Sequence, residues 1–547
     1  MLEWLRQYRR AQLPGDIGAG IVVAMMMIPQ GMAYAMVAGL PPVVGLYASI
    51  VPPLLYALFG SSMTQSIGPM AITSLMTASV LAPLAAPGSG LYMVLAAQLA
   101  LLSGAVLLVC GLLRIGFLAN FFSRPVMNGF TLGSAIVIAL GQGEALLGAP
   151  FPHFHLPSAM LGIGALALLL LARRFLAPLL RRLGLPAGAA DVGARLAPMV
   201  LVLAAMVLSY AVDLAGAGVR TTGAIPAGLP GLNLATSSSH WRLLFQPALL
   251  IGFMIFLISM SGAQTLALKR AEKLYSNHEL IGLGAANIGA ALTGGFPVTG
   301  SLSRSAVNFA AGANTQLASI ITAGLLALAL VAPTGWLALL PLPVLAATII
   351  VAVLGMLDLD TLRTAWRYDR ADALALLATA GGVLALGVES GVIIGLMLSM
   401  GAIIWRASRP HIAVLGRIAG TEHFRNITRY PAGTTPEVLL LRIDAALFFA
   451  NVEPVRARIE EELAAHPDTR HLVLVLSAVN AIDTSALFGL MELNAMLKGR
   501  AIGLHLAEVK GPVMDRLKAS TLLNELHGQV FLSTVMAWDA LILPKPN

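Results

Sequence analysis

The chain has 547 residues, of which 58% are hydrophobic and 11% charged, with a net charge of +8 and a mean hydropathy of +0.83. Soluble globular domains carry about 25% charged residues, so water is excluded as the solvent for most of this chain and a lipid bilayer is the expected surrounding. The cations gather at the ends of apolar runs, which argues against a nucleic-acid partner, and the single Cys110 excludes an internal disulfide framework.

At the N-terminus Arg6, Arg9 and Arg10 precede a hydrophobic stretch with no small-residue cleavage site at signal-peptide distance, so the first helix is expected to stay in the mature protein. About 20 helical residues cross a ~30 Å hydrocarbon core. Apolar segments follow at 16–36, 43–59, 68–82, 91–113, 125–142, 160–177, 196–212, 248–268, 279–294, 301–311, 315–333, 341–357, 371–388 and 390–406, fourteen in all. The fold class is therefore a polytopic α-helical membrane protein. An even count puts both termini on one side. The positive-inside rule makes that side cytoplasmic, since Arg6, Arg9, Arg10, Arg114, Arg124, the Arg173–Arg182 cluster, Lys269, Arg270, Lys273, Arg363, Arg367, Arg370, Arg406 and Arg409 all fall there. The opposite connections hold Arg220 and Arg242 against Glu144, Asp213 and Glu389.

Two of the segments are short and open on Gly/Pro-rich sequence, Ser66-Ile67-Gly68-Pro69-Met70-Ala71 and Gly294-Gly295-Phe296-Pro297-Val298-Thr299-Gly300-Ser301. They stand at matching depths in the two halves of the membrane portion, which suggests 7+7 inverted repeats whose half-helix N-termini meet near the bilayer midplane. A half-helix beginning there leaves N–H groups without partners and places the equivalent of about +0.5 charge at its start, and an anion satisfies both. Ser301 and Ser303 add hydroxyl donors, and Arg304 adds a full charge that is costly if it faces lipid. The plainer alternative is that Gly, Pro, Ser and Thr here serve helix packing.

After Arg409 the composition changes. Aliphatic runs such as Val438–Ile443 and His471–Ser477 alternate with charged amphipathic stretches, which reads as an α/β domain over 437–547, joined to the membrane domain 1–409 by a Gly/Pro-containing linker at 410–436. Asp483 or Thr484 stands where it caps a helix. His153 and His155 are two metal-type ligands without a third, so no metal site is expected. No Walker loop or Rossmann fingerprint occurs, and no cofactor or enzymatic activity is expected.

The run IPQGMAYAMVAGLPPVVGLYASIVPPLLYALFGSS, Ile28 to Ser62, and the run NHELIGLGAANIGAALTGGFPVTGSLSRSAVNFAAGANT, Asn277 to Thr315, resemble the two long motifs of the sulfate permease (SulP) family, whose animal branch includes prestin and pendrin. The resemblance implies a fourteen-helix fold in which a core and a gate domain move as an elevator, a small inorganic anion as substrate, sulfate first, and a homodimer in the cell inner membrane. It places the anion among Gln30, Tyr34, Met70, Ala71, Ser301, Ser303 and Arg304. Tyr34 and Met70 also read as ordinary packed side chains. The soluble portion resembles a STAS domain, and its loop Asp483-Thr484-Ser485 stands where related antagonists are phosphorylated, so a regulatory protein or a kinase is an implied partner. Bicarbonate, chloride and dicarboxylates are alternative substrates, and a membrane-anchored anion sensor or a channel are rival functions that flux and current measurements separate.

One departure bears on energetics. Proton-coupled relatives carry a glutamate on the eighth helix where this chain has Ile258, and a lysine where it has Gln264. Sodium-coupled relatives place a threonine where Gly262 stands. Exchange or facilitated transport is expected in place of symport.

Overall fold

The computed structural model describes residues 3–6, 8–117, 123–150, 153–232, 240–270, 272–332 and 334–542. Contacts divide the chain into two units, Met1–Ser399 and Met400–Asn547.

The first unit is helical. Its main helices are α1 Leu13–Val37, α2 Val51–Phe59, α3 Ala71–Leu81, α4 Gly90–Leu112, α5 Arg124–Gly141, α6 Leu156–Arg182, α7 Ala197–Ala211, α8 Trp241–Arg270, α9 Ser276–Leu292, α10 Leu302–Ala310, α11 Leu317–Val331, α12 Leu342–Leu354 and α13 Arg370–Leu386, followed by α14 Val388–Ser408. Among the described residues eight helical stretches are long and apolar enough to cross a membrane, while α3, α7 and α11 are shorter apolar helices.

Close packing rests on small residues where helices cross. Gly104 of α4 faces Gly284 of α9, and a Cβ on Gly104 would stand 2.8 Å from the Gly284 carbonyl oxygen, so the two backbones touch only because neither residue has a side chain. Through this crossing α9 packs along α4, and on another side it packs along α2. The segment expected as one helix over 43–59 is divided into Pro42–Tyr47 and α2, with a turn at Ala48–Ile50. The cause is local: Pro52 and Pro53 have no N–H to donate to the carbonyls of Ala48 and Ser49.

Two short strands, β1 Ile67–Gly68 and β2 Thr299–Gly300, precede α3 and α10 and pair antiparallel, Ile67 with Gly300 and Gly68 with Thr299. The two Gly/Pro breaks seen in the sequence are thus joined backbone to backbone. The pairing satisfies N–H and C=O groups that a helix break otherwise leaves bare in a low-dielectric interior.

In the second unit strands β3 Ile412–Arg417, β4 Phe424–Asn426, β5 Val438–Ile443, β6 His471–Val475, β7 Gly503–Ala507 and β8 Val530–Phe531 form one sheet in the order β4-β3-β5-β6-β7-β8. β5 to β8 run parallel, and β3 is antiparallel to both neighbours. Leu439, Leu441, Leu472 and Leu474 bury one face, under α15 Val452–Ala465 and α16 Thr484–Gly499, while Val438, Leu440, Val473 and Val475 bury the other. Both faces are covered, as a parallel sheet requires. The stretch 410–436, expected to be a linker, instead supplies β3 and β4; the alternating Ala413 and Leu415 point into the second core despite the neighbouring glycines.

Candidate functional site

The N-termini of α3 and α10 are brought together by β1 and β2, and they are finished differently. At the start of α3 the N-cap residue Met70 is extended and no side chain caps the first-turn N–H groups. At the start of α10 the N-cap Ser301 accepts from the Arg304 N–H at 3.4 Å. Each terminus carries the equivalent of about half a positive charge, and Arg304, in the first turn of α10, adds a full one.

Arg304 is 1% exposed. Its Nη1 donates to the Pro69 carbonyl at 2.8 Å, while Nε and Nη2 have no hydrogen-bond partner. Gly68 lies alongside, where a Cβ would come within 3.4 Å of Nη2. No carboxylate pairs with Arg304 among the described residues. A buried guanidinium with two unused donors is a strong anion acceptor, because unmet donors in a dry interior cost free energy that a bound oxyanion recovers.

The face of α10 that carries Arg304 is polar at helical spacing. Ser301 N–H donates to the Ser66 carbonyl at 3.0 Å, Ser305 Oγ accepts from the Ser66 N–H at 2.9 Å, and Asn308 Nδ2 donates to the Thr64 carbonyl at 2.9 Å. With Arg304 on Pro69, residues 301, 304, 305 and 308 clip the whole stretch from Thr64 to Pro69. Gln65 completes the scaffold: its Nε2 donates to the Ser259 carbonyl at 2.9 Å and to Ser259 Oγ at 2.6 Å. Behind it Glu279, fully buried, accepts from the N–H of Ser61 and of Ser62, from Ser61 Oγ and from the Tyr56 hydroxyl at 2.7–3.0 Å.

The seven predicted anion-site residues fall into two sets. Met70 and Ala71, buried at the start of α3, directly follow Pro69, whose carbonyl accepts from Arg304 in the first turn after the N-cap Ser301 of α10, and the buried Tyr34 of α1 lies within electrostatic range of Arg304. Gln30, one turn before Tyr34, and Ser303 instead line an adjoining cavity of about 640 Å³, together with Arg173, Asp191 and Arg195. Ser301 and Ser303 are therefore not equivalent, one being an N-cap and the other a cavity-lining hydroxyl. Sequence reading missed Gln65, Ser66, Glu279, Ser305 and Asn308. The polar residues at 301, 304, 305 and 308 were a usable signal, since they recur at the spacing of one helix face in an otherwise apolar protein.

In the second unit Asp483 is the N-cap of α16, with Oδ1 accepting from the Ala486 N–H at 2.8 Å and Oδ2 from the Phe449 N–H at 2.9 Å. Thr484 and Ser485 are exposed beside it. His155 Nδ1 lies 2.9 Å from Ser158 Oγ, and among the described residues no three His, Cys, Asp or Glu side chains are grouped to hold a metal.

The sequence profile of the sulfate permease family matches residues 13–379, and that of the STAS domain matches 430–537. A probable sulfate transporter of Mycobacterium tuberculosis is 38% identical over 98% of this chain and 96% of its own length. The chloroplastic sulfate transporter 4.1 of Arabidopsis thaliana is 36% identical over 92% of this chain and 76% of its own. Among solved structures, the murine anion transporter Slc26a9 in its inward-facing state aligns with a TM-score of 0.88 at 21% identity over 98% of this chain and 93% of that one. The transmembrane domain of the cyanobacterial bicarbonate transporter BicA aligns with a TM-score of 0.59 at 21% identity, covering 71% of this chain and 98% of that domain. At such identities these likenesses speak for the fold.

Proposed function

Because the chain belongs to the sulfate permease family, a family of transporters and not of enzymes, we propose that it carries a small inorganic anion, sulfate first, across the membrane. The observation that carries this reading is the buried Arg304, with Nε and Nη2 unpartnered at the point where two half-helices begin. The anion is held by those donors and by the uncapped first turn of α3 at Ala71, with Tyr34 beside the guanidinium; Gln30 and Ser303 receive it from the cavity.

The same proposal takes the fourteen apolar segments as crossings arranged in two inverted halves, with core and gate portions moving as an elevator, in a homodimer of the cell inner membrane whose termini and STAS domain are cytoplasmic. Its support is the antiparallel joining of the two breaks and the distribution of cationic residues. The STAS loop at Asp483, Thr484 and Ser485 is read as a docking or modification point that modulates transport.

The test is uptake of radiolabelled sulfate by the full-length protein in proteoliposomes, with bicarbonate, chloride and a dicarboxylate as competitors. Saturable sulfate uptake supports the reading. Uptake only of a competitor moves the substrate but keeps the site, whereas an ohmic current without saturation, or no flux of any anion, overturns transport by this mechanism.

A further inference from the structure

The cavity of about 640 Å³ that adjoins the anion site contains three charged side chains in different circumstances. Asp191 is paired with Arg181 at 2.7 Å. Arg195 Nη1 donates to the Ala306 carbonyl at 3.0 Å, midway along α10, so part of its guanidinium is committed to the helix backbone. Arg173 of α6 makes neither kind of bond among the described residues. Its Nη1 stands 3.4 Å from where a Cβ on Gly355 would be, so the glycine leaves the guanidinium its space. The rest of the lining is largely apolar, with Met26, Val351 and Met356 among it, and it includes the two site residues Gln30 and Ser303.

A cation held in a recess with low-dielectric walls focuses field lines along the recess and raises the local concentration of anions. Arg195 adds to that field from the α10 backbone, while Arg173 has its whole donor set unused among the described residues. We propose that Arg173 gathers the anion in this cavity before it reaches the Arg304 site, and that its charge biases entry toward divalent over monovalent anions. The proposal rests on the transport reading above. Coulomb energy scales with the product of the charges, so removing one unit charge affects a dianion twice as much, in free energy, as a monoanion. The charge acts on capture and not on the carrier's movement, so the effect belongs in KM. Within a cavity open to solvent it is screened by salt over a Debye length of about 8 Å at physiological ionic strength. Arg174 supplies the internal control: it is next in sequence, lies 5.7 Å from the Phe175 ring centroid and does not line the cavity.

The experiment measures initial uptake of radiolabelled sulfate and chloride against concentration, for the full-length protein and for Arg173→Gln, Arg173→Glu, Arg173→Lys and Arg174→Gln, at low and at high concentrations of an impermeant salt. Arg173→Gln is expected to raise the sulfate KM several-fold at unchanged kcat and the chloride KM by about the square root of that factor. Arg173→Glu exceeds it, Arg173→Lys restores it, and high salt removes the difference. KM values equal to those of Arg174→Gln, an equal shift for both anions, or a fall in kcat would overturn the assignment while leaving transport intact. If the unmodified protein moves neither anion, the transport reading itself fails and this one falls with it.

Discussion

Nη1 of Arg304 donates a hydrogen bond to the carbonyl oxygen of Pro69, 2.8 Å away in space and 235 residues away in sequence. One side chain thus fastens the entrance of the first half-helix to the first turn of the second. One of its three nitrogens is committed to architecture, while Nε and Nη2 have no hydrogen-bond partner.

Replacing that side chain tests both roles. Arg304→Ala removes the charge and the clip, and sulfate affinity should fall by about 1.5–3 kcal/mol, roughly ten- to a hundredfold. Arg304→Lys keeps the charge without the planar fork and should fall between the two. Equilibrium binding of radiolabelled sulfate to the detergent-solubilised protein gives the comparison, and an unchanged affinity in Arg304→Ala would remove the residue from the site.

Glu279 makes the opposite kind of contribution, since its hydrogen bonds go to Tyr56, Ser61 and Ser62 and to none of the predicted anion-site residues. Glu279→Ala strands the backbone N–H groups of Ser61 and Ser62 and the Ser61 hydroxyl, each at about 1–3 kcal/mol where buried, and should lower the thermal midpoint markedly or prevent folding. Glu279→Gln should be far milder. Its Oε1 keeps the Ser61 and Ser62 donors, and its amide donates to the Tyr56 hydroxyl, which then gives its own proton to Gln65 Oε1, already 2.8 Å away. Thermal melts of the two variants in the same detergent decide the matter; an equal loss in both would contradict this hydrogen-bond arrangement.

The soluble unit has a built-in acid sensitivity. Burial pushes His505 below its ordinary 6.5, to about 4, with His471 and then His527 adding charge repulsion. Its Nδ1 accepts from the Gln529 N–H at 3.0 Å, and its Nε2 lies 3.1 Å from His471 Nδ1. The unfolded chain takes up this proton near pH 6.5 and the folded one only near 4. Stability is therefore fully present above pH 6.5, falls as the pH drops between those values, and loses nothing more from this group below about 4. Hydrogen exchange of β7 in the full-length protein, corrected for the intrinsic pH dependence of exchange, should show protection declining through that window. A His505→Phe variant should flatten the decline.

The energetics of transport follow from α8. Ile258 is half-buried among aliphatic neighbours, and Ser259 beside it accepts from Gln65, so neither side chain supplies a carboxylate to take up a proton or hold sodium. Sulfate uptake should be indifferent to imposed proton or sodium gradients and should accelerate when the vesicles contain a counter-anion. Concentrative uptake that collapses with the proton gradient would refute this, and Ile258→Glu is then the variant in which to look for a stronger dependence.

What the sequence disclosed and what it withheld divide along physical lines. The starts of α3 and α10 were legible because glycine and proline announce a break whatever surrounds them, and the apolar runs were legible because twenty residues without charge have one use. The turn at Ala48–Ile50 was in principle readable from Pro52 and Pro53, but the hydropathy of the run is unbroken there and masked it. The division of Ser301 from Ser303 depends on which way a helix turns against its neighbours, and the Arg304–Pro69 and Glu279–Ser61 bonds depend on which distant segments meet. Local pattern contains neither kind of information. The strands β3 and β4 were misjudged because glycine and proline at 416, 431 and 433 signal turns, while the pairing of Arg417 with Gly433 that turns them into a sheet corner is long-range.

The ladder between β1 and β2 also sets a timetable for biogenesis. When the ribosome has released Pro69, the donor that will cap its carbonyl lies 235 residues downstream, which at about 5–20 residues per second is roughly 10–50 s of further synthesis. Through that interval the strand of the first break has no partner strand of its own. The nascent amino-terminal half must wait beside water, the insertion machinery or another protein surface, and a slowing of translation before Ser301 lengthens its exposure to premature degradation.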